Sequence, residues 1–269
     1  MSFKRLDILL NPNKIIPHYE NACKNNKILA PISAEFHWTS NCNYDCIHCS
    51  YGSRRQTTNY LTGKIIETLV QDLIDMNCKA IYLSGGGEPT VVKKWDQYTE
   101  QLVSGGLEVA LITNGIAILD KHIDTIRKMN YVAVSVYSTQ EDRYKEITGS
   151  KFFNRQFSLP KNIKSSKSNT IVGARCVLNK INYDEMYEIY CSAINAGFDY
   201  IIFIPAVDYE GRGVFLEDSW IDHVQRSIIE MLDKFDHSRT NVKSLLKKKV
   251  SHYSNSNYLD DITCNGSEL

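Results

Sequence analysis

Short runs of apolar residues alternate along the chain with longer stretches whose apolar positions recur at helical spacing. That alternation predicts repeated β/α units around a parallel sheet. The apolar runs are Ala34–Trp38, Ala80–Ser84, Leu107–Ile112, Tyr131–Tyr137, Thr170–Leu178 and Tyr200–Ile204. Thr62 is a candidate N-cap for a helix carrying Ile65, Ile66, Leu69, Val70, Leu73 and Ile74 on one face. Helices are also expected near Lys94–Val103 and Asp120–Lys128. The segment Glu141–Lys167 holds one or two less regular helices, broken near Pro160. A helix over Asp184–Ala196 ends before Gly197, a residue suited to the position after a helix terminus. Pro205 stops the sixth run, and a long helix is expected over Trp220–Phe235.

Six such units are too few to close an eight-stranded barrel. The expected fold class is α/β, a partial (β/α)6 TIM-like barrel over residues 32–236. A short N-terminal extension, 1–31, precedes it, and a C-terminal tail, 237–269, follows. The 269 residues suit one domain of this kind. Lys plus Arg and Asp plus Glu both number 31, a formal charge of zero, so no nucleic-acid partner is expected. Lys243, Lys247, Lys248 and Lys249 form a local basic cluster, read as a solvated helix face. No secretory apolar region follows the first residues, and no run is long enough to span a membrane. A cytoplasmic location is therefore expected.

The cysteines sharpen this reading. Cys42, Cys46 and Cys49 lie in Cys42-Asn43-Tyr44-Asp45-Cys46-Ile47-His48-Cys49, a C-x3-C-x2-C spacing with no fourth cysteine nearby. In a reducing compartment this spacing reads as metal ligation. A cubane iron–sulfur cluster normally takes four thiolates, so three leave one iron with an open position. After the second apolar run comes Gly85-Gly86-Gly87-Glu88-Pro89. The glycines let backbone approach a ligand closely, and Glu88 offers an anionic acceptor for an ammonium group.

Together these motifs resemble the radical S-adenosylmethionine (SAM) enzymes, over about Pro31 to Pro205. That family is known for C-x3-C-x2-C after its first strand and Gly-Gly-Glu-Pro after its second. The resemblance implies a three-quarter barrel, open on one side, with its chemistry at the C-terminal strand ends. The cysteine loop follows the first strand, the glycine loop the second and Asn114 the third, so all three fall on that rim.

The resemblance further implies a [4Fe–4S] cluster on Cys42, Cys46 and Cys49, the metal ligands and catalytic centre. SAM would chelate the open iron and be cleaved reductively, giving a 5′-deoxyadenosyl radical that removes a hydrogen atom from the substrate. Gly86, Gly87, Glu88 and Pro89 would hold the methionine ammonium group. Ser135 and Arg175 match the polar residue of strand four and the arginine of strand five that contact ribose and carboxylate. An arginine fork suits a carboxylate because it bonds both oxygens. If Arg175 points inward, Gly173 and Val177 do too, and Cys176 faces the helices. The backbone near Ile204 and Pro205 would line the adenine. Asn114 reaches the methionine or the substrate, or else forms an Asn-Gly turn. His48 stands where the family usually has an aromatic residue; it packs beside the nucleoside or ligates iron. The electron donor implied is flavodoxin or ferredoxin.

Cys78 and Cys191 read as small buried hydrophobes. Cys264, close to the last residue Leu269, resembles the cysteine that opens a SPASM or twitch auxiliary-cluster extension. Peptide or natural-product modification is the function expected from that tail. The alternatives are action on a sugar, nucleoside or other small metabolite, and a non-catalytic iron–sulfur or zinc protein. Tyr137, Asp208, Tyr209, Glu210 and Arg212 are candidates for reading a polar substrate.

Overall fold

The computed structural model describes residues 31–52, 60–165, 167–208, 211–214 and 218–246, with Ile16, Glu20, Cys23 and Lys24. Six strands form one parallel sheet: β1 (Ser33–Phe36), β2 (Ala80–Leu83), β3 (Glu108–Thr113), β4 (Tyr131–Ser135), β5 (Ile171–Leu178) and β6 (Tyr200–Pro205). Their spatial order is their chain order, so β1 and β6 are edges and the barrel is not closed. The expected (β/α)6 architecture is therefore present.

Strand periodicity divides the two faces. On β4, Val132 and Val134 enter the main core beneath the helices, whereas Tyr131 and Ala133 face the barrel interior. On β5, Val172, Ala174, Cys176 and Leu178 join the same core. Arg175 and Val177 face inward, as their parity predicts. Cys176 is thus a core residue, and burial pushes its thiol pKa up.

The lower interior is filled by aromatic rings. Tyr131 and Tyr200, the first residues of β4 and β6, stack 6.2 Å apart and 7° from parallel. The Tyr200 hydroxyl donates to the Tyr131 hydroxyl at 2.6 Å. Ala110, Ala133, Tyr82, Ile112 and Ile171 complete this plug. Gly173 is required beside it, because a Cβ there would meet the Tyr200 ring at 2.6 Å. The plug closes the N-terminal end and leaves the C-terminal strand ends as the accessible mouth.

The first helix, α1 (Gly63–Asp75), begins at Thr62, whose hydroxyl accepts from Ile65 N at 3.4 Å. Ile66 and Val70 are buried, but Ile65 and Leu69 remain 46% and 36% exposed. The apolar stripe is wider than the sheet covers. Next come α2 (Trp95–Ser104), α3 (Ile123–Arg127), α4 (Glu141–Thr148) and α5 (Leu159–Lys164). Pro160 opens α5 instead of breaking a helix, since the first turn needs no proline N–H. Helix α6 (Met186–Asn195) ends in a Schellman motif: Gly197 takes φ +95°, and Gly197 N and Phe198 N reach back to Ile194 O and Ala193 O. The last helices described are α7 (Asp218–Glu230) and α8 (Val242–Leu245).

Residues assigned to the tail cover one sheet edge. Ile201 N donates to Arg239 O at 2.9 Å. The Asn241 amide exchanges two hydrogen bonds with Phe203, at 2.8 and 2.9 Å. Such cover blocks strand addition at β6. Among the described residues, no helix is long and apolar enough to cross a membrane. Cys264, Tyr209, Glu210, Lys247, Lys248 and Lys249 lie outside the described residues, as does most of the N-terminal extension.

The Gly173 contact gives a direct test. Gly173→Ala should destabilise the fold by about 1–3 kcal/mol, as overpacking does. Denaturant unfolding measures this, and trimming the ring with Tyr200→Leu in the same chain should recover part of the loss.

Candidate functional site

The chain between β1 and α1 carries Cys42, Cys46 and Cys49 in a loop strapped down on several sides. Asp45 N and Ile47 N donate to Thr148 O and Ile147 O at the end of α4, both at 2.9 Å. Gly149 follows with φ +67°, and a Cβ there would approach Asp45 Cβ at 3.3 Å. Cys49 N donates to Cys46 O at 3.1 Å, closing a turn between two of the cysteines. Tyr44 N donates to Cys42 Sγ at 3.4 Å. The Tyr44 phenol is hydrogen-bonded to that of Tyr144 on α4, and Tyr144 meets Phe153 edge-on. This aromatic packing gives the cysteine loop a small core of its own.

The glycine loop is pressed against the same segment. Glu88 N donates to Asn41 O at 2.8 Å. A Cβ on Gly87 would stand 2.1 Å from that carbonyl oxygen, so no larger residue fits without moving backbone. Gly85 has φ +145°, and a Cβ there would meet the His37 ring at 3.0 Å. A Cβ on Gly86 would meet Tyr51 at 3.4 Å, an easier contact. The glycines thus serve the approach of two loops as well as access for a ligand.

Glu88 is buried and its carboxylate is fully engaged. Oε1 accepts from Thr90 N (3.1 Å), Thr90 Oγ1 (2.5 Å) and Thr113 Oγ1 (2.6 Å), and Oε2 accepts from Asn114 N (2.8 Å). Burial pushes its pKa above the usual carboxylate range, against four hydrogen bonds that favour the charged form. Its side chain knits the glycine loop to the end of β3. Pro89 is buried behind this loop, where its carbonyl accepts from Trp38 Nε1 at 3.1 Å. Asn114 closes a turn to Ile116 N at 3.1 Å and donates to Asn43 Oδ1 at 2.6 Å. Its turn-forming role is therefore realised, together with a bridge to the cysteine loop.

Cys42, Cys46 and Cys49 line one cavity of about 340 Å³ with His48, Gly86, Gly87, Glu88, Asn114, Ser135 and Arg175. Pro89, expected in the cofactor site, and Pro205, expected beside the adenine, do not line it. Val177 and Ile204 form its apolar wall. Arg175 Nη1 donates to the Tyr82 hydroxyl at 3.0 Å, and Ser135 pairs in register with Arg175 across β4 and β5. Glu35 accepts from Ser84 Oγ at 2.5 Å and meets His37 Nε2 at 2.9 Å. Its pKa is lowered: burial pushes up, but the His37 and Ser84 hydrogen bonds and the Arg175 charge prevail. The His48 ring lies 5.2 Å from that of Tyr137, and its buried Nδ1 has no hydrogen-bond partner. Burial lowers the His48 pKa to about 4.

Two groups of residues were not signalled by the motifs. Thr90 and Thr113 hold Glu88, and no local pattern marks them. Tyr137 reads from parity as a substrate residue, yet its phenol stands 3.9 Å from Cys46 Sγ. Asp208 turns its carboxylate to its own loop, accepting from Arg212 N at 2.9 Å and Gly213 N at 2.6 Å. Its expected part in reading a substrate gains no support from that geometry.

The two glycine contacts separate experimentally. Gly87→Ala should displace the cysteine loop and cost about 3 kcal/mol or more, given a backbone clash that cannot relax by rotamer. Gly86→Ala should cost less than about 1 kcal/mol. Urea midpoints and iron uptake of both variants, measured side by side, check the difference.

Residues 37–191 match the profile of the Radical SAM superfamily. A GTP 3',8-cyclase from Clostridium botulinum is 25% identical over 234 residues, covering 76% of this chain and 70% of that protein. Mycofactocin maturase MftC from Mycolicibacterium smegmatis is 24% identical over 195 residues, covering 72% and 48%. SuiB from Streptococcus suis, solved with its precursor peptide SuiA, superposes with TM-score 0.63 at 16% identity, over 84% of this chain and 52% of that one. The enzyme anSMEcpe with bound AdoMet gives TM-score 0.63 at 18% identity, over 78% and 63%. The chain therefore spans about half the length of SuiB, and these superpositions carry the barrel architecture alone. The profile covers more than half of the chain, which belongs to the radical SAM superfamily of enzymes.

Proposed function

We propose that this chain cleaves S-adenosylmethionine reductively at a [4Fe–4S] cluster held by Cys42, Cys46 and Cys49. The observation that carries this reading is the shared cavity: three thiols from one loop and the Gly85–Glu88 turn line the same space at the strand ends. The donor set fits the group. Three thiols carried by one loop match the thiolate donors of an iron–sulfur cluster and leave one iron of a cubane open to a further ligand. When bound, the cluster supplies the electron that splits the sulfonium into methionine and a 5′-deoxyadenosyl radical, which takes a hydrogen atom from the substrate.

The chain's own residues position the nucleotide. The peptide groups of Gly85 to Gly87 meet the ammonium group, and Glu88 fixes their geometry through Thr90, Thr113 and Asn114. Arg175, with one hydrogen bond to Tyr82, turns its remaining donors to the carboxylate. Ser135 reaches the ribose. His48 packs beside the nucleoside, a neutral ring in an apolar setting. Val177 and Ile204 exclude water beside the adenine. A flavodoxin or ferredoxin is the electron donor.

The substrate favoured is a ribosomal precursor peptide or related natural product. Supporting this, one relative is a mycofactocin maturase, and SuiB was solved with a precursor peptide. A second reading, action on a nucleotide or other small metabolite, is favoured by the GTP 3',8-cyclase relatives. Mass spectrometry of reduced, reconstituted enzyme with candidate peptides and with nucleoside triphosphates distinguishes them. A mass change confined to the nucleotides would overturn the peptide reading.

Two variants test the site. Cys46→Ala should lose cluster and SAM cleavage together, measured as iron content and 5′-deoxyadenosine release. Glu88→Ala should keep the cluster but weaken SAM binding by about tenfold or more, since four donor groups lose a buried acceptor. Calorimetry with SAM measures this, and an unchanged affinity would count against the role of Glu88.

A further inference from the structure

Tyr137 is held with unusual firmness for a residue just beyond a strand end. Its N–H donates to Gln156 Oε1 at 3.0 Å, and its carbonyl accepts from Asn182 Nδ2 at 2.7 Å. Gln156 and Asn182 are themselves fully buried. Gln156 Nε2 also donates to Ser138 O at 2.9 Å, which fixes the backbone on either side. The ring is wedged between Tyr44, at 6.4 Å, and His48, at 5.2 Å. Such clamping leaves the phenol little freedom.

That phenol points at a sulfur, 3.9 Å from Cys46 Sγ. In the free chain the thiol carries the proton and donates to the phenol oxygen. An iron-bound thiolate has no proton, so the direction reverses and the phenol O–H becomes the donor. Ser135 lines the same cavity as the phenol. Several amides of the loop are turned elsewhere: Asp45 N and Ile47 N bond to the end of α4, and Cys49 N bonds to Cys46 O. The Tyr137 phenol is a side-chain group facing the Cys46 sulfur, as Tyr44 N is a backbone donor to Cys42 Sγ.

We propose that Tyr137 is a positioning residue for electron transfer, whose phenol donates a hydrogen bond to the Cys46 thiolate and raises the reduction potential of the cluster. This rests on the cluster assignment above. Reduction adds one electron, delivered by a low-potential one-electron donor, to a site already bearing thiolate charge. A donor aimed at sulfur stabilises the reduced form more than the oxidised one. The phenol keeps its proton throughout, so no proton is transferred and none needs a destination.

The test is an anaerobic redox titration of the full chain, followed by electron paramagnetic resonance, with iron and sulfide assayed in each sample. Tyr137→Phe keeps the ring and removes the donor. It should hold the same iron and sulfide as the parent, with reduction about tenfold less favourable, ~59 mV more negative for one electron. Full iron content with an unmoved potential overturns the proposal while leaving the cluster assignment intact. A parent chain that takes up no iron overturns both. If Tyr137→Phe fails to hold a full cluster, 3-fluorotyrosine incorporated at position 137 decides instead. This stronger donor of nearly equal size should move the potential to more positive values, and no movement overturns the proposal.

Discussion

The site depends on one backbone approach, that of Gly87 to the carbonyl of Asn41. It joins the loop after β1 to the loop after β2 without any side chain between them. The Glu88 N–H bond to that carbonyl fixes the distance. From there Glu88 extends the joint to β3 through Thr113 and Asn114, and Asn114 returns to the cysteine loop at Asn43. Three strand ends are thereby locked into one rim. A buried carboxylate with four accepted hydrogen bonds is a costly group to place there, and it is stable only because each oxygen is satisfied.

Much of this was legible in the sequence because the signals are local. Cysteine spacing and the glycine run state their chemistry within a few residues. Strand periodicity is equally local, and it assigned Arg175 inward and Cys176 to the core. What escaped was set by partners far along the chain. Nothing near Glu88 announces Thr113, and nothing near Tyr137 announces Cys46. The expected break within Glu141–Lys167 falls between α4 and α5, and Pro160 sits on its far side because a first helical turn tolerates proline. Ile65 and Leu69 show the opposite limit: helical spacing identifies an apolar stripe but not how much of it the neighbouring elements can cover.

The barrel interior changes character along its axis. At the lower end the stacked Tyr131 and Tyr200 rings and their paired hydroxyls close the space. Higher up, Arg175, Ser135 and Ser84 replace them with charge and hydroxyls. Tyr82 connects the zones, with its ring in the plug and its hydroxyl against Arg175. The polar zone thus rests on an aromatic floor, to which the Arg175 guanidinium is tied through the Tyr82 hydroxyl.

The straps between the cysteine loop and the end of α4 bear on how such a motif travels between proteins. The eight residues from Cys42 to Cys49 do not constitute a portable cassette. Their shape is borrowed from the Ile147 and Thr148 carbonyls, from the Tyr44–Tyr144 pair and from a glycine that makes room for Asn41. A graft into another scaffold would have to bring that helix end and that glycine along, or the transplanted thiols would lack a common focus.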